Sequence, residues 1–450
     1  MSILLPHILV FLSGLCVYPL FLRNSFSLSS RFALFYLCGE LVLVSYFVLS
    51  SLLFGSIFWN GAVLLALFGL GVFGWISRSS FGKLSKSENS FKCKNLALCG
   101  LQLLLVILNF ANFDTSFLLP AVAWDARSIW LFHGKIFYYA NSIDINTLKN
   151  PAYLWSHPDY PPFIPVLAAF HSQYLAGWSE TLSKSFLFVH WVCCSILFAQ
   201  MLFSLCGNIV VVGVAALFVQ LVFSNNSHIA YADSCCAMAL CLAVIGFALD
   251  LSEKGLQGES QRKSYWIGIC CLALAALMKN EGLVFGAIIY LGHLAFNKLE
   301  AKSLAAELRG LFTFLVLVAP WNFLVWYHEV TGEYSSFYLS SGGRNLNWTE
   351  ISNRTSTVIE LGTEAIVQEY GASAILIVLL AIVVSVWRQF LGGDRVERYL
   401  LSIASILILM LLPIYLLTPL DLAWHIQTSF ARVASVSIIL SCVLLCRIAR

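Results

Sequence analysis

The chain has 450 residues, 60% of them hydrophobic, with 26 Lys and Arg against 23 Asp and Glu for a net charge of +3. Charged residues make up 11% of the chain and the mean hydropathy is +0.84, which excludes an ordinary soluble globule, whose apolar share sits nearer half. The basic residues are dispersed and leave no footprint for nucleic acid. The fold class that remains is all-α: a polytopic helical membrane protein whose backbone satisfies its own hydrogen bonds inside the bilayer.

In chain order, apolar runs fall at 3–22, 32–54, 57–76 and 96–113, then at 185–206, 209–224, 233–250, 265–278, 282–297, 310–328, 370–387, 399–417 and 430–446. They predict thirteen spans. Residues 1–22 lack a charged leading segment and a small-residue cleavage site, so they read as a retained span rather than a signal peptide. A further run at 162–178 is short, opens on prolines and carries His171 and Gln173; it reads as a segment lying along the surface. The 14 Cys sit mostly inside apolar runs without zinc-type pairing and read as small core residues.

Charge sets the expected orientation. With 162–178 not crossing, six segments fall on one side: 23–31, 77–95, 251–264, 298–309, 388–398 and the C-terminus. They hold 18 of the 26 Lys and Arg, the asymmetry of a cytoplasmic face. The loops 114–184 and 329–369 then lie outside the cytoplasm, and 329–369 is long enough for a helix or two over the outer mouth, with Gly342 and Gly343 as a hinge or a plain turn.

Residues 114–165 form the longest run that cannot be a span, and they concentrate Asp114, Asp125, Asp144, Asp159, two His and three Trp. Trp124, Asp125, Arg127, Trp130 and Lys135 read as an interfacial helix with Asp125 on one edge, Arg127 and Lys135 helping to keep it ionised. His157, Asp159 and Tyr160 precede Pro161 and Pro162, which predicts extended backbone there. Asp233 opens an apolar span, where a helix cap is the plain alternative to a functional carboxylate. Lys279 and Glu281 are wedged between two apolar runs, on a side that mostly excludes cations, so Lys279 calls for an anionic partner such as a lipid phosphate. His425 and Arg432 stand at the start of the last span, where an unpaired Arg would be costly.

These residues put two carboxylates, several His and at least two cations at one membrane face. That inventory suits group transfer from a phosphate-linked lipid: Lys279, Arg432 and His425 at the donor phosphate, Asp125 and Asp233 at the reaction, and Trp124, Arg127, Lys135, His157, Asp159, Tyr160 and Glu281 around the substrate. A divalent cation between Asp125 and Asp233 is possible on residue type alone.

By the order and common side of these motifs over residues 96–445, the chain resembles the GT-C superfamily of integral-membrane glycosyltransferases, in its protein mannosyltransferase and lipid A aminoarabinose transferase branch. Trp124-Asp125-Ala126 is similar to that branch's acidic pair, although Ala126 replaces the second acid. His157 to Pro162 looks like its juxtamembrane Pro-Pro motif, Asp233 like its second Asp, Met278 to Glu281 like its Thr-Lys-Gly-Pro element with Glu281 in place of Pro, and Arg432 like its late Arg. The resemblance implies inverting transfer of one sugar from a polyprenyl-phosphate donor to a hydroxyl of a glycan, lipid or protein acceptor, in a bacterial inner (plasma) membrane. It divides the chain into N-terminal helices over 1–95 and a catalytic module over 96–450. The competing class is a transporter or flippase of a lipid-linked or anionic substrate, which places ionisable groups near mid-span.

Overall fold

A computed structural model describes residues 3–17, 26–80, 92–175, 177–253, 262–297, 301–341 and 346–450, and among these residues it is helical without any strand. The N-terminal helices are α1 (Leu4–Gly14), α2 (Leu28–Phe54), α3 (Gly61–Ser80) and α4 (Lys92–Asn109). Two shorter helices, α5 (Leu131–Ala140) and α6 (Phe163–Ser172), precede α7 (Phe186–Cys206), α8 (Ile209–His228) and α9 (Ala232–Glu253). Then follow α10 (Lys263–Met278), α11 (Asn280–Phe296), α12 (Ala301–Tyr327), α13 (Glu333–Ser341), α14 (Trp348–Tyr370), α15 (Ala372–Phe390), α16 (Arg395–Leu416) and α17 (Ala431–Ile448).

Nine helical segments of the described residues are long and apolar enough to cross a membrane, which makes the chain an integral membrane protein. Thirteen were predicted. Of the other four runs, Lys263–Met278 and Asn280–Phe296 form helices shorter than a full span, while the helices at Leu4–Val17 and Gly61–Gly74 run up to residues outside those described. Sixteen residues rise about 24 Å against a hydrocarbon thickness of about 30 Å.

The centre is α9. Its apolar window is wholly buried, as a helix that is hydrophobic on every side must be, and it packs against α7, α10 and α17. The N-terminal helices pack onto the rest: α2 packs on α7 and α12, and Glu40 receives a bond of 2.6 Å from His190, both side chains fully buried. All but one of the 13 described cysteines are at least partly buried, and none is in a disulfide.

In the segment 162–178 the helix α6 has only ten residues, too few to span a bilayer, but it does not lie on the surface either. Every residue of α6 is buried because α5 covers it, and an all-apolar turn such as FIPVLAAF gains most from full burial. The long loop 329–369 forms α13 and α14, while Gly342 and Gly343 lie outside the described residues. At the pole bearing the basic loops, Arg262 bonds Asp250 at 2.8 Å and Glu307 at 2.7 Å, tying α9, α10 and α12 together. Arg395 bonds the carbonyl of Phe296 at the end of α11, and Arg447 bonds Asp394. Described residues of the segments at 251–264, 298–309, 388–398 and the C-terminus are thus tied together at one end of the bundle.

Candidate functional site

At the opposite end the bundle holds a partly open cavity of about 750 Å³. Four segments far apart in sequence deliver its charged groups, each through a local irregularity. Asp125 precedes a π turn, Ala126–Trp130, which buries Ala126, Ile129 and Trp130 and leaves Arg127 exposed. Arg432 lies just after a second π turn, Ile426–Phe430; such one-turn expansions recur at functional sites because they re-aim side chains. Lys279 is a single extended residue (φ −151°, ψ 153°) between α10 and α11, so the two helices break at the one point where a cation can turn inward. The break is tight: a Cβ on Gly282 would overlap the carbonyl oxygen of Ala275. Asp233 stands in the first turn of α9.

Their charges interlock. Lys279 Nζ lies 2.7 Å from Asp233 Oδ1 and 3.4 Å from Glu281 Oε1. Arg432 Nη1 donates to Asp125 Oδ2 at 2.6 Å and to Asp233 Oδ2 at 3.3 Å, while the guanidinium lies 4.2 Å from the centre of the Tyr231 ring. The anionic partner that Lys279 was predicted to need is therefore protein carboxylate, and Arg432 is not buried unpaired. Asp233 is more than a cap, since it bridges both cations.

A second group faces them. His157 has left-handed backbone (φ 50°, ψ 63°) rather than the predicted extended form: the chain turns tightly over 157–160, and its ring stacks on Tyr160 at 4.8 Å, with Trp130 on Tyr160 at 5.6 Å. His425 Nε2 shares a hydrogen bond of 2.9 Å with the Tyr334 hydroxyl. Asp159 packs against Gly332, where a Cβ would overlap its carboxyl. Burial, and to a smaller degree Glu281, push the Asp159 carboxyl up to about 6, whereas burial lowers His157. The remaining wall is apolar, with Val284, Phe285, Met410, Pro413, Ile414 and Leu417.

Of the twelve residues singled out in the sequence, Trp124, Asp125, His157, Asp159, Tyr160, Lys279, Glu281, His425 and Arg432 line this cavity, and Asp233 bonds two of them. Arg127 and Lys135 do not. Both are exposed on the outside of the segment, because the π turn shifts the helical register past Asp125 and α5 turns His133, Gly134 and Phe137 inward instead. The cation beside Asp125 is Arg432. Tyr334 and Tyr415 also line the cavity, and nothing in the sequence marked them among 17 Tyr.

The donor set fits a guanidinium better than a metal. The two carboxylates that would hold a divalent cation converge on one nitrogen of Arg432, and among the described residues no three His, Cys, Asp or Glu side chains gather at ligand spacing. Compared with family models, with curated proteins and with solved structures, the chain matches none at a significant level.

Proposed function

We propose that the protein is a glycosyltransferase that moves one sugar from a polyprenyl-phosphate donor to an acceptor hydroxyl, with inversion, at the extracytoplasmic face of the membrane. The observation that carries this reading is the meeting, at one cavity with an apolar wall, of two cations, Lys279 buried and Arg432 half-buried, with the carboxylates that hold them. A phosphate-linked lipid needs both halves: Lys279 and Arg432 for the phosphate, and the wall along α11 and α16 for the first isoprene units.

In the proposed reaction Asp125 takes the proton of the acceptor hydroxyl as its oxygen bonds to the anomeric carbon. The bond from that carbon to the phosphate oxygen breaks with its electron pair, and polyprenyl phosphate leaves. Lys279 and Arg432 neutralise the charge that grows on the leaving oxygen. Asp233 holds both cations in place. The test is to give the purified protein labelled polyprenyl-phosphate sugars and follow consumption of the donor together with release of polyprenyl phosphate. Turnover that Asp125→Asn abolishes supports the reading; donor left intact with every sugar and acceptor offered counts against it.

A second reading, transport or flipping of a lipid-linked or anionic substrate, draws on the Glu40–His190 pair, which is fully buried between α2 and α7. Intramembrane ionisable pairs of this kind often serve proton relays. Movement of the intact lipid across proteoliposomes, blocked by Glu40→Gln, separates this reading from glycosyl transfer.

A further inference from the structure

Four of the five N–H donors of Arg432 are taken. Its Nε and Nη2 donate to the carbonyl of Thr428 at 3.1 and 2.6 Å, its Nη1 to Asp125 and Asp233, and its plane covers Tyr231. With one N–H of Nη2 left over, an anion can take a two-point hold on this guanidinium only by replacing one of its partners. Thr428 lies one helical turn back on the same segment and cannot leave without unwinding it. Asp233 is 4% exposed and is held a second time by Lys279 at 2.7 Å. Asp125 differs on every count: its side chain is 25% exposed, it comes from a separate segment, and among the described residues its ion-pair partner is Arg432. Asp125 is the partner that yields.

We propose that, without ligand, the Asp125 carboxylate occupies the phosphate subsite of Arg432, and that an arriving phosphate exchanges with it, so that the base is freed only when the donor is seated. This rests on the glycosyl-transfer reading and gives it an order of events. The exchange swaps one oxyanion for another at the same nitrogen, so the charge around Arg432 hardly changes while Asp125 gains the freedom to accept a proton. Until then Asp125 Oδ2 is held by Arg432 and is not offered to the acceptor. The donor must then bind before the acceptor hydroxyl can be activated. The recognised chemistry is a phosphate ester, which a lipid headgroup and a free anion share.

The experiment measures binding of a short-chain polyprenyl phosphate and, separately, of inorganic phosphate by calorimetry. The proteins are wild type, Asp125→Asn, Asp125→Glu, Arg432→Gln and the Asp125→Asn/Arg432→Gln double variant. If the competent state is a minor one in the wild type, freeing it tightens apparent affinity by about tenfold, and that gain is expected for Asp125→Asn. Asp125→Glu keeps the competing charge and should show no such gain. Arg432→Gln should bind more weakly, and adding Asp125→Asn to it should restore nothing, since there is no longer a cation to compete for. A gain with both probes means that the phosphate alone drives the exchange; a gain with the lipid alone means that the tail is needed to deliver it, and either supports the proposal. Wild type and Asp125→Asn of equal affinity, or a weaker Asp125→Asn, overturns the exchange while leaving the donor site standing, provided Arg432→Gln still weakens binding. If no probe binds wild type, or if Arg432→Gln changes nothing, the glycosyl-transfer reading falls and takes the exchange with it.

Discussion

One guanidinium holds two carboxylates whose surroundings differ, and the same substitution should therefore have opposite consequences at the two. Asp233 is 4% exposed and bonded to Lys279 at 2.7 Å and Arg432 at 3.3 Å. Asp233→Asn leaves Lys279 facing Glu281 at 3.4 Å, itself 27% exposed. Breaking a buried pair costs about 3–5 kcal/mol when nothing compensates, and partial cover by Glu281 brings this to about 2–3 kcal/mol. Asp125→Asn removes one more exposed bond and leaves Arg432 with Asp233, a loss of about 1 kcal/mol. Activity should invert the ranking: removing a general base lowers turnover by about 10²–10⁴-fold, so Asp125→Asn should be folded and nearly inactive. Asp233→Asn should melt well below wild type yet keep measurable turnover at low temperature. Thermal unfolding in detergent, paired with single-turnover transfer from a labelled polyprenyl-phosphate sugar, reads both quantities. An Asp125→Asn protein turning over near the wild-type rate, beside a stable but inactive Asp233→Asn, would reverse the two roles.

Lys279→Gln and Arg432→Gln should each weaken polyprenyl-phosphate binding by about 10–100-fold, the worth of one charge-assisted bond of about 1.5–3 kcal/mol; unchanged affinity in both variants, measured by native mass spectrometry, would remove the donor site. Asp159, whose carboxyl is raised from 3.8 to about 6, favours the fold in its protonated form. Its contribution is complete below pH 3.8 and lost as pH rises through about 6, worth at most about 3 kcal/mol, so Asp159→Asn should melt higher than wild type at pH 8 and no higher at pH 4, and equal differences at both pH values would refute the assignment. Gly332→Ala places a Cβ on the Asp159 carboxyl and should cost about 1–3 kcal/mol as the loop shifts; a variant as stable as wild type in thermal unfolding would show that the contact yields freely. On a cysteine-free background, Lys135→Cys should react with a membrane-impermeant maleimide from outside and Arg309→Cys only from inside, both positions being exposed; the reverse pattern would end the proposed orientation.

The sequence alone determined the class of the molecule and marked most of the charged residues that line its cavity. Runs of about 20 apolar residues leave the backbone no choice but helix, and a charge that survives inside such a run needs a partner, which is why Asp233, Lys279 and Arg432 stood out before any contact was known. The partners themselves were another matter. Asp125 and Arg432 are 307 positions apart and Asp233 and Lys279 46, and no periodicity links residues brought together only by the packing of α9, α10 and α17. For the same reason Arg127 and Lys135, neighbours of Asp125 in the chain, were given a role that belongs to Arg432. A π turn rotates the side chains beyond it by its one added residue, without a residue preference that would announce it. Whether α6 lies on the surface or under α5 depends on what covers it, and that is a property of the assembled bundle.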